Sequence, residues 1–222
     1  MPEGKHCVFV AGGTGYVGRP LIARLRERGH NVRALVRPGS ERKLPAGCTP
    51  VGGDALHAES YAAAIAPADT FVQLVGVAHP SPAKAAQFRT IDFVSASGAF
   101  RGAKQANVQH FVYLSVAHPA PVMKAYVQVR SECEAALRET GMNATILRPW
   151  YVLGPGHRWP YALLPMYWLM ELLPATRTGA QRLGLVTLAQ MVNALVTAVE
   201  NPCRGVHIVE VPEMRKAGAV SA

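Results

Sequence analysis

The N-terminal stretch Cys7-Val-Phe-Val-Ala-Gly-Gly-Thr-Gly-Tyr-Val-Gly18 constrains the fold of this chain more than any other segment. Residues 7–11 form a short apolar run and read as a buried strand. Gly12, Gly15 and Gly18 follow at once, in a G-x-x-G-x-x-G spacing, and residues 19–28 then carry apolar side chains at helical intervals. Glycines allow a tight turn and close backbone approach, and the helix N-terminus offers unpaired N–H groups to an anion. A glycine triplet by itself is also what a simple packing turn needs. With strand and helix on either side it becomes a pyrophosphate cradle. Gly12, Gly13, Thr14, Gly15, Tyr16, Val17 and Gly18 are therefore expected at a dinucleotide site.

Further strands are expected at residues 31–36, 50–53, 70–77, 110–116 and 143–147. Helices are expected at 60–65, 83–106 and 126–140. Strands alternating with helices predict an α/β fold, a Rossmann-like doubly wound parallel sheet. The pattern changes after residue 150, where residues 159–173 are almost wholly apolar and rich in aromatics. A helix is expected over 186–199 and a last strand over 205–211. The expected organisation is a Rossmann domain over 1–150 and a small C-terminal substrate cap with terminal elements over 151–222, packed as one unit.

The 222 residues suit one such domain, and half of them are hydrophobic, enough for a substantial core. Cys7, Cys48, Cys133 and Cys203 lie far apart with no C-x-x-C pair. That argues against a metal site or a disulfide framework and for a reducing compartment. No signal-peptide pattern precedes the first strand, and no apolar run is long enough to span a bilayer, so a cytoplasmic protein is expected. The formal net charge is +9. Its basic residues are spread along the chain, apart from Arg24, Arg26, Arg28, Arg33 and Arg37. No basic helix with interleaved aromatics is present, so nucleic acid is not an expected partner.

The second strand should end near the adenine ribose. A carboxylate there would accept a hydrogen bond from a free 2′-OH and select NAD. Arg37 stands there instead, and a guanidinium pairs with a 2′-phosphate, so NADP is expected in preference to NAD. Arg19 and Lys43 are candidates for the same phosphate. Asp54, after Gly52-Gly53, is placed to reach the adenine amino group, with Ala55 beside it. Leu74, Val75 and Gly76, at the end of the fourth strand, and Pro149 and Trp150, after the sixth, are the remaining cofactor candidates.

GGTGYVG at 12–18, RALVR at 33–37, GGD at 52–54, FVYLS at 111–115 and ILRPWYVLGPG at 146–156 resemble the atypical and extended short-chain dehydrogenase/reductases. The likeness is greatest to the NAD(P)-binding group related to nitrogen-metabolite-repressor sensors and sugar-nucleotide epimerases, and it covers residues 6–212. The resemblance implies a Ser or Thr after the fifth strand that polarises a carbonyl, and a Tyr-x-x-x-Lys pair on the next helix. Ser115 and Tyr126 match the first two, but Arg130 stands where the family usually has lysine. Tyr126 and Arg130 are i and i+4 and share a helix face. Bringing a tyrosine from a pKa near ~10 to ~7 costs roughly 4 kcal/mol. A full cation ~4 Å away supplies about that much at an effective dielectric of about 20. Arginine can thus stabilise a tyrosinate and hold a ribose, but it cannot relay a proton. His79, His118 and Lys124 are weaker candidates near the same cleft.

Residues 159–173 fit core burial, a wall of a pocket for an apolar substrate, a homodimer face, or a segment lying on a membrane surface between Arg158, Arg177 and Arg182. Three functions stay open on these residues. The first is an NADP(H)-dependent oxidoreductase or epimerase-like enzyme acting on a small carbonyl or alcohol. The second is a non-catalytic NADP(H) sensor that binds a partner. The third is an accessory protein docking through the apolar segment.

Overall fold

The computed structural model describes residues 4–155 and 162–217. Seven parallel strands form one sheet in the order β3-β2-β1-β4-β5-β6-β9. They are β1 (Cys7–Ala11), β2 (Asn31–Val36), β3 (Thr49–Gly52), β4 (Thr70–Gln73), β5 (His110–Leu114), β6 (Ala144–Arg148) and β9 (Val206–Glu210). Helices α1 (Gly18–Glu27), α7 (Leu188–Glu200) and α8 (Val211–Ala217) contribute to one face. Helices α3 (Val94–Gln105) and α4 (Lys124–Glu139) cover the other. The expected doubly wound parallel sheet is the fold of this chain.

The continuous apolar strands are explained by alternation. Val8 and Val10 enter the core under α1 and α7, whereas Phe9 and Ala11 enter the core under α3 and α4. Val72 and Phe71, Val112 and Phe111, and Leu147 and Ile146 divide in the same way. A strand buried on both faces has no polar side, so it reads as an unbroken run.

Three elements differ from the expected ones. The strand expected over 70–77 stops at Gln73. The Leu74 amide still bonds the Ala11 carbonyl at 2.9 Å, and the next residues leave the sheet to line a cleft. The helix expected over 83–106 is α2 (Ala85–Gln87), a π-helical stretch (Phe88–Phe93) and then α3. Residues 60–65 fall in two 3₁₀ turns, Ala58–Ser60 and Ala62–Ala64.

Beyond residue 150, the strand pair β7 (Tyr151–Leu153) and β8 (Leu185–Thr187) stands apart from the main sheet. It packs with α5 (Leu164–Leu172) and α6 (Pro174–Arg182) around Leu153, Tyr167, Ala180 and Leu185. The elements that follow, α7 and β9, belong to the layers of the main sheet. Residues 159–161 of the apolar segment lie outside the described residues. Among the described residues no helix is long and apolar enough to cross a membrane, and no His, Cys, Asp and Glu group is arranged to hold a metal ion. The four cysteines are free thiols.

Candidate cofactor and active site

The glycine turn follows β1 with Gly12 at φ +88°, a conformation that glycine adopts without cost. The Gly15 amide donates to the Gly12 carbonyl at 3.0 Å. A Cβ on Gly18 would meet the Gly12 carbonyl oxygen and lie 2.8 Å from Gly13 Cα. One on Gly13 would lie 2.7 Å from Ile22 Cδ1, so the turn seats directly on α1. Among the described residues no side chain caps the first turn of α1, where Val17 stands at the N-cap, and that turn contains no carboxylate. The Arg19 amide donates to the Gly15 carbonyl at 3.2 Å and Pro20 has no N–H, so the turn offers an anion the positive end of the helix rather than a row of free amides. These features fit a dinucleotide pyrophosphate.

A cleft of about 410 Å³ opens beside this turn, at the carboxyl ends of β1 to β4. Gly12, Thr14 and Gly15 form one wall. Arg37, Ser40 and Lys43 line it past the end of β2, and Asp54 and Ala55 past the end of β3. Leu74, Val75 and Gly76 form the floor. One oxygen of Asp54 accepts from the Leu56 amide at 3.0 Å, which fixes the carboxylate at the rim. Arg19 is exposed and lies outside this lining. Tyr16 turns toward the small strand pair, where its hydroxyl sits against Gly154. Pro149 accepts a hydrogen bond from the Ala117 amide at 2.8 Å, and the Trp150 ring lies 5.6 Å from that of Tyr151.

Tyr126, Arg130 and Glu134 follow each other at intervals of four along α4, and each meets a different environment. The Tyr126 ring is 4.9 Å from Phe88 on the π-helical stretch, with the Arg130 guanidinium 5.2 Å from its centroid. Arg130 is buried. Its Nη2 pairs with Asp92 at 2.6 Å, and its Nη1 donates to the Leu114 carbonyl at 2.8 Å and to the Tyr113 hydroxyl at 3.2 Å. Its Nε has no hydrogen-bond partner among the described residues. The other Asp92 oxygen accepts from the Val77 amide at 2.9 Å. Gly76 makes room for this arrangement, since any side chain there would run into Arg130. Asp92 thus ties α4 to the loop that floors the cofactor cleft.

The electrostatics follow from burial. Desolvation works against the Arg130 charge, but Tyr113, Tyr126 and Asp92 outweigh it and hold the guanidinium protonated. Burial pushes the Tyr126 phenol above the usual tyrosine range, with Arg130 pulling it down and Asp92 pushing it up. Tyr126 is therefore a phenol, not a phenolate, at neutral pH.

Ser115 follows β5 and is buried, and its hydroxyl donates to Glu134 at 2.7 Å. Glu134 also accepts from both ends of the Arg148 guanidinium, from Arg138 at 3.2 Å and from His118 Nε2 at 3.2 Å. Burial raises this carboxyl, but the hydrogen bonds from Arg148 and Ser115 outweigh it and hold the pKa below the usual carboxylate range. The expected carbonyl-polarising serine is thus a donor to a carboxylate, and the expected ribose-holding Arg130 is the partner of Asp92. The physical reason is the same for both: each buried donor needs an acceptor and takes the nearest carboxylate.

His118 belongs to the Glu134 cluster, and exposed His79 takes a left-handed backbone conformation with φ 50°. Lys124 opens α4 and lines a small cleft of about 200 Å³ with Phe88 and Tyr126. Sequence reasoning missed Asp92 and Glu134. The available signal was a lone carboxylate on the buried face of each helix, where periodicity calls for an apolar residue.

The chain matches the NAD(P)H-binding family over residues 12–158. It is similar to a 3-diazoavenalumate denitrifying reductase of Streptomyces sp, with 31% identity over 91% of this chain and 75% of that protein. It is also similar to a 4-hydroxy-2-methyl-3-oxo-4-farnesyl-3,4-dihydroquinoline-1-oxide ketoreductase of Stigmatella aurantiaca. That identity is 26%, over 77% of this chain and 55% of that protein, so the chain spans about half of the second relative's length. Among solved structures, the Bordetella bronchiseptica enzyme WbmH in complex with NAD⁺ shares the fold, with a TM-score of 0.70 and 21% identity over 96% of this chain and 80% of that one. Glycine cradle, parallel sheet and these likenesses agree: the chain belongs to the NAD(P)H-binding family, an atypical group of the short-chain dehydrogenase/reductases.

Proposed function

We propose that this protein is an NADP(H)-dependent reductase of a small, apolar carbonyl compound. The observation that carries the cofactor choice is the rim of the cleft, where Arg37, Ser40 and Lys43 gather past the end of β2 with no carboxylate among them. Two cations and a hydroxyl suit a 2′-phosphate. Gly12, Gly15 and the first turn of α1 would hold the pyrophosphate, and Asp54 the adenine. The bound cofactor supplies hydride to the carbonyl carbon. Tyr126, protonated at neutral pH, gives the proton to the carbonyl oxygen, and Arg130 offsets part of the burial that makes it a weaker acid. Arg130, fixed by Asp92, then steadies the phenolate that remains. Ser115 can accept but not donate while it bonds Glu134, so it serves as the second hydroxyl once its proton turns toward substrate. An apolar substrate is supported by the farnesyl-bearing compound that the ketoreductase relative is named for.

Titration with NADPH, NADP, NADH and NAD tests the reading. NADPH should bind more tightly than NADH, and Arg37→Ala should lose roughly tenfold to a hundredfold for NADPH and little for NADH. Equal affinities in the unchanged protein would remove the NADP assignment. With a carbonyl panel, Tyr126→Phe should abolish turnover while cofactor binding persists.

A second reading has its own support. The groups that the resemblance assigns to substrate and ribose, Ser115 and Arg130, are engaged by Glu134 and Asp92. A non-catalytic NADP(H) sensor needs neither group free. Tight cofactor binding with no turnover on any carbonyl, and a partner whose affinity follows the NADPH/NADP ratio, would favour it.

A further inference from the structure

Helix α5 has apolar side chains both toward the protein and away from it, but only the inward ones are packed. Tyr167 and Met170, with Leu163 just before the helix, join the small core formed with β7, β8 and α6. The outward side chains are Met166, Trp168, Leu169, Leu172 and Leu173, which are 48%, 67%, 57%, 52% and 51% exposed. Five large apolar side chains within eight positions, each about half or more open to solvent, form a contiguous patch. Such a patch marks an interaction surface.

Charge selects its occupant. Residues 151–187 contain three arginines, Arg158, Arg177 and Arg182, against one carboxylate, Glu171. That carboxylate is already paired with Arg215 at 3.0 Å. The exposed Arg177 donates from Nε to the Glu171 carbonyl at 2.9 Å, which ties its guanidinium to the last turn of α5. A second copy of the chain carries the same net charge of +9 and would bring the same excess of arginines over carboxylates to the contact, so like charges would meet. An anionic bilayer offers apolar depth and negative charge together. The nine residues of α5 extend only ~14 Å, too short to span a membrane and suited to lying in its interface. Trp168, the most exposed of the five, is the side chain that membrane interfaces favour.

We propose that the outer face of α5 docks this protein on an anionic lipid surface, with Trp168, Leu169 and Leu172 entering the headgroup boundary and Arg177 meeting lipid phosphates. The inference goes beyond the cofactor reading and does not rest on it. The test is flotation of the full chain with vesicles of phosphatidylcholine containing phosphatidylglycerol, against vesicles of phosphatidylcholine alone, at low and high salt. The protein should float with the anionic vesicles, less with the neutral ones, and less at high salt. A Trp168→Ser, Leu172→Ser double variant should lose roughly tenfold or more in apparent affinity with unchanged circular dichroism. Arg177→Glu, at an exposed position, should weaken binding to anionic vesicles selectively, which keeps the test independent of the double variant. Absence of the wild-type protein from the floated anionic fraction overturns the proposal. So does flotation that neither variant changes. A dimer in sedimentation that the double variant abolishes, without lipid binding, would make a second copy the occupant and overturn it equally.

Discussion

Arg130 shows how one residue type reshapes its surroundings. A buried guanidinium needs a carboxylate, and Asp92 supplies it from 38 positions earlier in the chain. Removing one member of a buried pair strands the other. Asp92→Ala should therefore cost about 3–5 kcal/mol, measured by urea unfolding. Replacing Asp92 and Arg130 together by apolar residues should cost clearly less than the sum of the two single changes. Additive costs would show that the pair is not coupled. The Tyr126 and Arg130 spacing was legible in the sequence because i and i+4 is local geometry. The partners of Arg130 and Ser115 were not, because Asp92 and Glu134 meet them only through the packing of separate elements.

Among the elements, the glycine turn and α1 act as a unit. A methyl group at position 18 would have to displace the Gly12 carbonyl, so Gly18→Ala should open the turn. Dinucleotide affinity should fall by roughly tenfold or more, read by fluorescence titration, since the glycine turn loses its seat on the positive end of α1. Helix α7 starts with a full capping box, in which the Gln190 amide donates to the Thr187 hydroxyl at 3.1 Å and the Gln190 side chain answers at 2.9 Å. Thr187→Ala should cost about 1 kcal/mol in thermal or urea unfolding, with cofactor affinity unchanged. The strand–turn–helix and the alternation of elements were readable as periodicity. The π-helical stretch at 88–93 was not, because its residues keep a helical pattern and only the packing of Asp92 and Phe88 against α4 marks it.

At the scale of the whole molecule, two buried groups weaken the fold in acid. Burial drives His110 from an ordinary 6.5 to about 4, with His6 adding to the fall, and its ring bonds Thr145 at 3.0 Å. Below about pH 6.5 the unfolded chain takes up a proton at this position that the folded chain refuses. Stability should fall by up to about 3 kcal/mol between pH 6.5 and 4 from this group. Glu134, whose folded pKa is depressed, adds a loss at lower pH, as acid removes the charge that Arg148 and Ser115 hold. Urea unfolding at a series of pH values should show this slope, and His110→Gln should flatten its upper part. An unchanged slope in that variant would assign it elsewhere. The sequence alone determined the parallel α/β architecture and the glycine cradle, because strand runs, helical spacing and a glycine turn are encoded over a few neighbouring residues. Only the tertiary structure decided what Ser115 and Arg130 bond, where the chain after residue 150 divides between the small strand pair and the main sheet, and which side of α5 stays open. Those outcomes depend on which distant charges and apolar faces are brought together when the layers close, and no local pattern carries that information.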